Sequence, residues 1–402
     1  MDQNLRIAFI QDALPFWGGA EKVLAAALEV FPQAEVYTLV YQEADFHGSI
    51  IGRRPIHTSF IDRLPAARRH HRAFLPLMPF AVEHFDLRSY DILVSFSYAV
   101  AHGILPLPGQ LHISYMHTPL RYAWQNRADW AGGRRPYPSF LLEAYLRFFR
   151  RWDEASSRRT DHFISVSHFI AQRVRQAFHR PSDVLYPPVD VDGFQPLFPR
   201  SDHYLLVSRL VAHKRVDLAV QAFNRLGLPL IVAGAGPEEA RLRRMAGPNI
   251  QFLGWQPQER LAELYGRARA FIHPGVEDFG ITMVEAQAAG CPVIALQDGA
   301  APEIVRQGET GLLFPDPSAA GLREAVLRFE QGRQQFDPWA IQGHARRFSK
   351  ARFQLQFASL VEQDWDRFQH GRRNLDAFAP AGLGEPSEEQ HVDLVREGQR
   401  GR

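Results

Sequence analysis

Short apolar runs alternate with stretches of helical periodicity along nearly the whole chain. In the first half LRIAFIQ (5–11), AEVYTLVY (34–41), YDILVSFSY (90–98), LHISYMH (111–117) and HFISVSH (162–168) are near-continuous hydrophobic runs. A half-exposed strand alternates; continuous runs are expected of strands covered on both faces, and these five predict a parallel sheet between helical layers. AEKVLAAALEVF, which follows the first run, has helical composition. So has SFLLEAYLRFFRRW, where Leu141, Tyr145, Phe148 and Trp152 fall at i, i+4, i+7 and i+11 and predict one helix face.

The pattern breaks at YPPVDVDGFQPLFPRSD (186–202), proline-rich and aperiodic, which reads as a stiff linker. Beyond it HYLLVSRL, LPLIVAGAG, IQFLGW, ARAFIHPG, CPVIALQDG and GLLFPD are strand candidates separated by helical segments. The expected fold is α/β, with two doubly wound domains, residues 1–185 and 201–345, joined by a linker at 186–200 and facing each other across a cleft. Residues 346–372 read as a helix crossing back to the first domain, and 373–402, with their Gly, Pro, Glu and Arg, as a mobile tail.

Composition changes this picture little. The 402 residues are 46% hydrophobic and 22% charged, an ordinary globular balance, and a net charge of +2 gives no general pull toward nucleic acid. One cysteine, Cys291, excludes an internal disulfide framework and a Cys-based zinc cluster, which suits a reducing cytoplasm. MDQNLRIAFIQDALPF reads as a first strand rather than a signal peptide, and no run of about 18 apolar residues predicts a membrane span.

Candidate chemistry gathers where strands give way to helices. In QDALPFWGGAEKVL, Gly18 and Gly19 stand where backbone N–H groups could approach a phosphate, or where a strand–helix turn merely needs glycine. VSRLVAHKRVD puts Arg209 at a strand end and Lys214 before a helix, two cations able to clamp a diphosphate, or a solvated loop. AGAGPEE adds a tight turn at Gly234. HPGVEDFGITMVEAQAAG is the most informative stretch: a loop carrying Glu277, amides from Phe279, Gly280, Ile281 and Thr282 opening a helix, and Glu285 expected in its first turn. Carboxylates so placed suit the two ends of a long ligand, Glu285 at vicinal hydroxyls such as a ribose and Glu277 at a sugar; the plainer alternative is two surface glutamates at a helix N-terminus. His117, in YMHTPLRYAW, is structural unless its strand ends at the same cleft.

Residues 53–72, RRPIHTSFIDRLPAARRHHR, hold Arg53, Arg54, Arg63, Arg68, Arg69 and Arg72 against one acid, Asp62, and run into AFLPLMPFAVEHF. Basic and apolar residues side by side fit docking on an anionic membrane, and equally a solvated basic face. Nucleic acid is the weaker expectation, because no recognised nucleic-acid module accompanies the stretch.

Taken together these residues resemble the retaining GT-B glycosyltransferases of family 4 over roughly residues 5–370. The E-x7-E element, Glu277 to Glu285 in EDFGITMVE, is the most specific part; Gly18–Gly19, Arg209 with Lys214, and GAGP at 234–237 support it. GGAEKVL, HTPLRYAW and EDFGITMVEAQAAGCPVIA look like the mannosyltransferase branch of bacterial O-antigen and exopolysaccharide assembly. The resemblance implies two Rossmann-like domains, a nucleotide-sugar donor on the second and an acceptor over the first. It implies Arg209 and Lys214 on the diphosphate, Glu285 on ribose, Glu277 and the amides at Phe279, Gly280 and Ile281 on the sugar, and His117 near its 6-hydroxyl or the reacting centre. Gly18–Gly19 would border phosphate and acceptor, and Gly254 in FLGW the base. It further implies no metal or other cofactor, GDP-mannose or another nucleotide sugar as donor, a lipid-linked saccharide as acceptor, and work at the cytoplasmic face of a membrane. A UDP-sugar donor, a sugar-nucleotide epimerase or phosphorylase, and a non-catalytic nucleotide-sugar binding subunit are the competing readings.

Overall fold

The structure, a computed structural model, describes residues 5–124, 139–332 and 335–378. Seven parallel strands form the first sheet: β1 (Ile7–Gln11), β2 (Glu35–Thr38), β3 (Ile56–Thr58), β4 (Ile92–Ser97), β5 (Leu111–Met116), β6 (His162–Ser165) and β7 (Asp183–Val184), in the order β3-β2-β1-β4-β5-β6-β7. Six more form the second: β8 (Tyr204–Val207), β9 (Leu230–Ala233), β10 (Ile250–Gly254), β11 (Phe271–His273), β12 (Val293–Leu296) and β13 (Gly311–Phe314), in the order β10-β9-β8-β11-β12-β13. Every residue of β1, β4, β5 and β12 is buried, the physical reason those runs carry no polar alternation. In each sheet the strand order reverses once, between β1 and β4 and between β8 and β11, and the crevice at the carboxyl ends of such strands is where open α/β sheets take ligands.

Six helices position the site: α1 (Gly19–Val30), α2 (Ser139–Ser157), α3 (His168–Phe178), α4 (Val216–Leu226), α5 (Ile281–Ala288) and α6 (Lys350–Phe378). On α2 the expected face is turned by one residue: Phe148 is 48% exposed, whereas Leu146, Phe149 and Asp153 are buried. Two adjacent aromatics at 148 and 149 satisfy the helical period almost equally well, and packing chose the second.

The chain between the sheets is held at several points. Val189, Val191 and Phe194 are buried, and Phe194 packs edge-on to Tyr265 of the second domain at 5.8 Å. Val189 also receives a backbone bond from Lys350 and donates one to Phe348, so the outgoing and returning connections lie side by side. From there α6 returns to the first sheet. Phe353, Phe357 and Val361 fall at i, i+4 and i+8 on its buried face, and Phe357 meets Phe31 at 5.8 Å and Phe9 at 6.3 Å. Burying a phenylalanine contributes about 1.5–3 kcal/mol, so Phe357 is the single side chain whose truncation most directly loosens this crossing. Asp364, two turns on, accepts from His162 Nδ1 at 2.5 Å.

Candidate active site

The loops after β8 and β11, the two strands flanking the second switch point, meet at Lys214 and Glu277. A short turn over Ala212–Lys214 brings Lys214 against the β11 loop, and Gly275 lets the backbones touch: a Cβ at 275 would lie 2.8 Å from the Lys214 carbonyl oxygen. Lys214 Nζ then forms an ion pair with Glu277 Oε1, with only 20% and 14% of the two side chains exposed, and His273 Nε2 approaches the same oxygen at 3.4 Å. Burial works against the Glu277 charge, but the Lys214 ammonium and His273 overcome it and hold the carboxyl well below the usual carboxylate range. Behind it, Ala300 N–H donates to the Glu277 carbonyl at 3.0 Å.

Gly280, at φ +108°, turns the loop into α5 as its N-cap, a conformation that glycine adopts without strain. The amides at 280–282 therefore open the helix as expected. Glu285 does not sit in the first turn: α5 starts at Ile281, which puts Glu285 in the second turn, on a buried face. Its carboxylate receives Tyr265 Oη at 3.3 Å and lies 3.6 Å from Lys22 Nζ of the first domain. Burial pushes its carboxyl up, opposed by Lys22 and Tyr265. The Phe279 ring is buried against Tyr186 and Phe348 at 5.8 and 5.5 Å, where the two interdomain connections run.

Arg209 is exposed on the β8 loop, two residues past the strand, and its carbonyl accepts from Val211 N–H at 2.9 Å. The structure places it on the loop that carries Lys214, at the same edge of the sheet. Gly234 backs this loop, since a Cβ there would collide with the Ser208 carbonyl at 1.9 Å, and its N–H donates to Gly254 O at 2.7 Å. Gly254 itself has open space over it and is followed by Trp255, 74% exposed.

The first domain faces this cluster across the cleft. Gly18 is the N-cap of α1, and Glu21, three residues on, folds back toward it in the manner of a capping box. Burial pushes the Glu21 carboxyl up to about 7, against the pull of its own and the Gly18 amide. Gly19 meets the second domain directly: a Cβ on it would lie 3.0 Å from Ile281 Cδ1, at the start of α5. Asp12 accepts four backbone N–H groups, from Tyr98, Ala99, Val100 and Ala101, at 2.5–2.8 Å, and so ties the loop after β1 to the loop after β4. His117 follows β5 with its ring 5.4 Å from Tyr115 and 6.4 Å from Tyr98, and its Nε2 has no hydrogen-bond partner among the described residues. Burial pushes its imidazole down to about 4, so the ring is neutral at neutral pH.

The basic stretch divides. Arg68 grips Asp62 through two bonds of 2.9 and 3.1 Å, and Arg54 donates to the Pro32 carbonyl at 2.5 Å, so these two serve the fold. Arg53, Arg69 and Arg72 are exposed, as are Phe60, Leu77 and Phe80 beside them. Arg72 reaches the cleft's field, working against burial and the Asp12 and Glu21 carboxylates that push the Tyr98 hydroxyl well above its ordinary value.

Sequence reasoning missed Lys22, His273, Glu21 and Asp12. Two signals were available: Glu21 stands at capping-box spacing from Gly18, and His273 precedes Glu277 by four residues at a strand end. Nothing local marks Lys22, because its partner lies in the other domain.

Two family models match consecutive parts of the chain, Glycosyltransferase Family 4 over residues 17–192 and Glycosyl transferases group 1 over 194–348. The chain is 34% identical over 246 residues to D-inositol 3-phosphate glycosyltransferase of Mycobacteroides abscessus, covering 53% of this chain and 52% of that protein. It is 30% identical over 199 residues to the GDP-mannose-dependent alpha-(1-6)-phosphatidylinositol monomannoside mannosyltransferase of Mycobacterium tuberculosis, covering 42% and 52%. The chain spans about half the length of these two relatives. Among solved structures, Anabaena HepE in complex with UDP superposes with a TM-score of 0.68 at 17% identity, over 89% of this chain and 100% of that one.

Proposed function

The chain belongs to the family 4 glycosyltransferases of GT-B architecture, and from that premise we propose that it moves a hexose, mannose from GDP-mannose, onto a lipid-linked saccharide with retention of configuration. In this reading the sugar–phosphate C–O bond breaks, a C–O bond to an acceptor hydroxyl forms on the same face, and that hydroxyl's proton leaves with the nucleoside diphosphate. Arg209, Lys214 and the amides at 280–282 meet the charge of the diphosphate, so the reading takes no metal or other cofactor. Glu285 takes the ribose hydroxyls, Glu277 the sugar, and Gly18–Gly19 border phosphate and acceptor. His117, neutral at neutral pH, meets a hydroxyl rather than a charge.

The Lys214–Glu277 pair at the second switch point carries the proposal. A diphosphate entering there competes for Lys214, so donor binding and the freeing of Glu277 for the sugar are one event. The mannosyl donor rests on the resemblance to the GDP-mannose-dependent relative; a UDP-sugar is the second reading, favoured by HepE's UDP. A thermal-shift panel of nucleotide sugars separates them. The donor, at 100 times its dissociation constant, is expected to stabilise the fold by about 2.7 kcal/mol. A shift with a UDP-sugar and none with GDP-mannose overturns the mannose assignment.

Arg53, Arg69 and Arg72, with Phe60 and Phe80 exposed nearby, support docking on an anionic membrane at its cytoplasmic face, where a lipid-linked acceptor would be met. Binding to anionic vesicles should then weaken with salt. Equal binding to neutral vesicles refutes it.

A further inference from the structure

Glu277 is fixed from its own domain by Lys214, but the residue that follows it, Asp278, is tied to the first domain. Ser167, fully buried, caps α3 by accepting Ile170 N–H at 3.1 Å, and donates its own hydroxyl proton to the Asp278 carbonyl at 2.6 Å. One turn further along α3, Arg173 Nη1 donates to Asp278 Oδ1 at 2.9 Å, with 18% of each side chain exposed. Its guanidinium also lies over the Phe169 ring at 4.0 Å, which limits its rotamers.

A third tie comes from the segment whose Ala300 amide supports the Glu277 carbonyl. Glu303, three residues later, spans the first turn of α3, accepting His168 N–H and Phe169 N–H at 2.9 Å each. Those are two of the donors a helix start leaves unpaired, and a carboxylate is the group its positive end favours. Phe279, meanwhile, is wedged against Tyr186 and Phe348 at the interdomain connections. The backbone that follows Glu277, and the segment that holds the Glu277 carbonyl, are therefore both referenced to the start of α3.

We propose that Ser167, Arg173 and the start of α3 form a seat that positions the Glu277 loop from the opposite domain, making Arg173 and Ser167 positioning residues for the transfer step; the part of this that concerns transfer rests on the function proposed above. The seat makes the loop's geometry depend on domain closure. If the domains part, Asp278 and Glu303 leave α3 and Glu277 keeps the contacts of its own domain, with Lys214, His273 and the Ala300 amide. Donor contacts on the second domain survive such a parting; the alignment of Glu277 does not.

Amide hydrogen exchange over residues 276–282 of the ligand-free full chain reads the seat without any substrate. Arg173→Ala is expected to speed exchange there by about tenfold or more, because the free energy of local opening sets the rate, and to leave β8 and β11 unchanged. Ser167→Ala is the second variant, expected to act the same way should Arg173→Ala fail to fold. With a sugar donor that the wild type uses, Arg173→Ala is expected to lower kcat about tenfold while the donor dissociation constant moves less than about threefold. The reversed pair, Arg173→Asp with Asp278→Arg, should restore part of kcat. Unchanged exchange in both single variants overturns the proposal, and so does a fall in kcat matched by an equal loss of donor affinity. A wild type that turns over no nucleotide sugar sinks the function and leaves the exchange test standing.

Discussion

Titratable groups that the two domains present to the cleft differ in how they keep their charge. On the second domain Glu277 is paired with a cation and held ionised. On the first, Glu21 and His117 have no such partner among the described residues, and burial drives both toward their neutral forms, the carboxyl up to about 7 and the imidazole down to about 4. Desolvation is present on both sides. What sets Glu277 apart is the close pairing with Lys214; Glu285, 3.6 Å from Lys22, is still pushed up by burial. Under the proposed function, the side that faces a diphosphate would need fixed charges, whereas the side that receives a hydroxyl acceptor would gain from groups that hydrogen-bond without a net charge.

Three substitutions test this contrast, beginning with the largest effect. Glu277→Ala leaves Lys214 buried without its partner, and turnover is expected to fall on the order of 10²–10³-fold, as when a group aimed at developing charge is lost. Steady-state kinetics at saturating donor measures it, with a melting curve alongside because breaking a partly buried pair costs up to about 3–5 kcal/mol. Turnover within about twofold of wild type would remove Glu277 from the mechanism.

Next comes Glu21→Gln. The carboxyl's folded-state value, about 7, is raised above its ordinary 4.5, so what it contributes to stability is present below pH 4.5 and is lost as pH rises through 7. The glutamine variant should accordingly gain on wild type between pH 5 and 8, by up to about 3 kcal/mol, read from denaturant midpoints at each pH. A constant difference across that window would show that Glu21 is charged throughout, and the contrast between the domains would fail.

His117→Gln is expected to have an effect of comparable size and the opposite sign. A value lowered from 6.5 to about 4 means that the neutral ring's contribution is complete above pH 6.5 and fades as pH falls toward 4. The substitution should thus flatten part of the acid limb of the stability profile. Titration of the His117 ring by NMR with a midpoint near 6.5 would contradict it.

Elements differ in how plainly the sequence marks them. Strands such as β4 and β5 were legible because burial on both faces leaves a continuous apolar run. Short edge strands left no such trace: β3, three residues long, lies inside the basic stretch at 56–58, and β7 has only two residues. Glu277, Gly280 and Glu285 could be found because they share one contiguous motif, and Lys214 because it follows its strand in the matching loop. The turn of α5 on which Glu285 sits could not, since it depends on where Gly280 takes up its positive φ. Likewise the aromatic pair at 148 and 149 was decided by what lay beneath α2.

The residue order by itself determined the layered α/β plan and which loops would carry cations, glycines and carboxylates, because strand burial and turn chemistry act over a few neighbouring residues. Only the tertiary structure decided which charge answers which. Lys214 with Glu277, Lys22 with Glu285 and Arg173 with Asp278 are separated by 63 to 263 residues along the chain, and a pairing energy that falls off within a few ångströms in water cannot be read across such distances until the fold has brought the partners together.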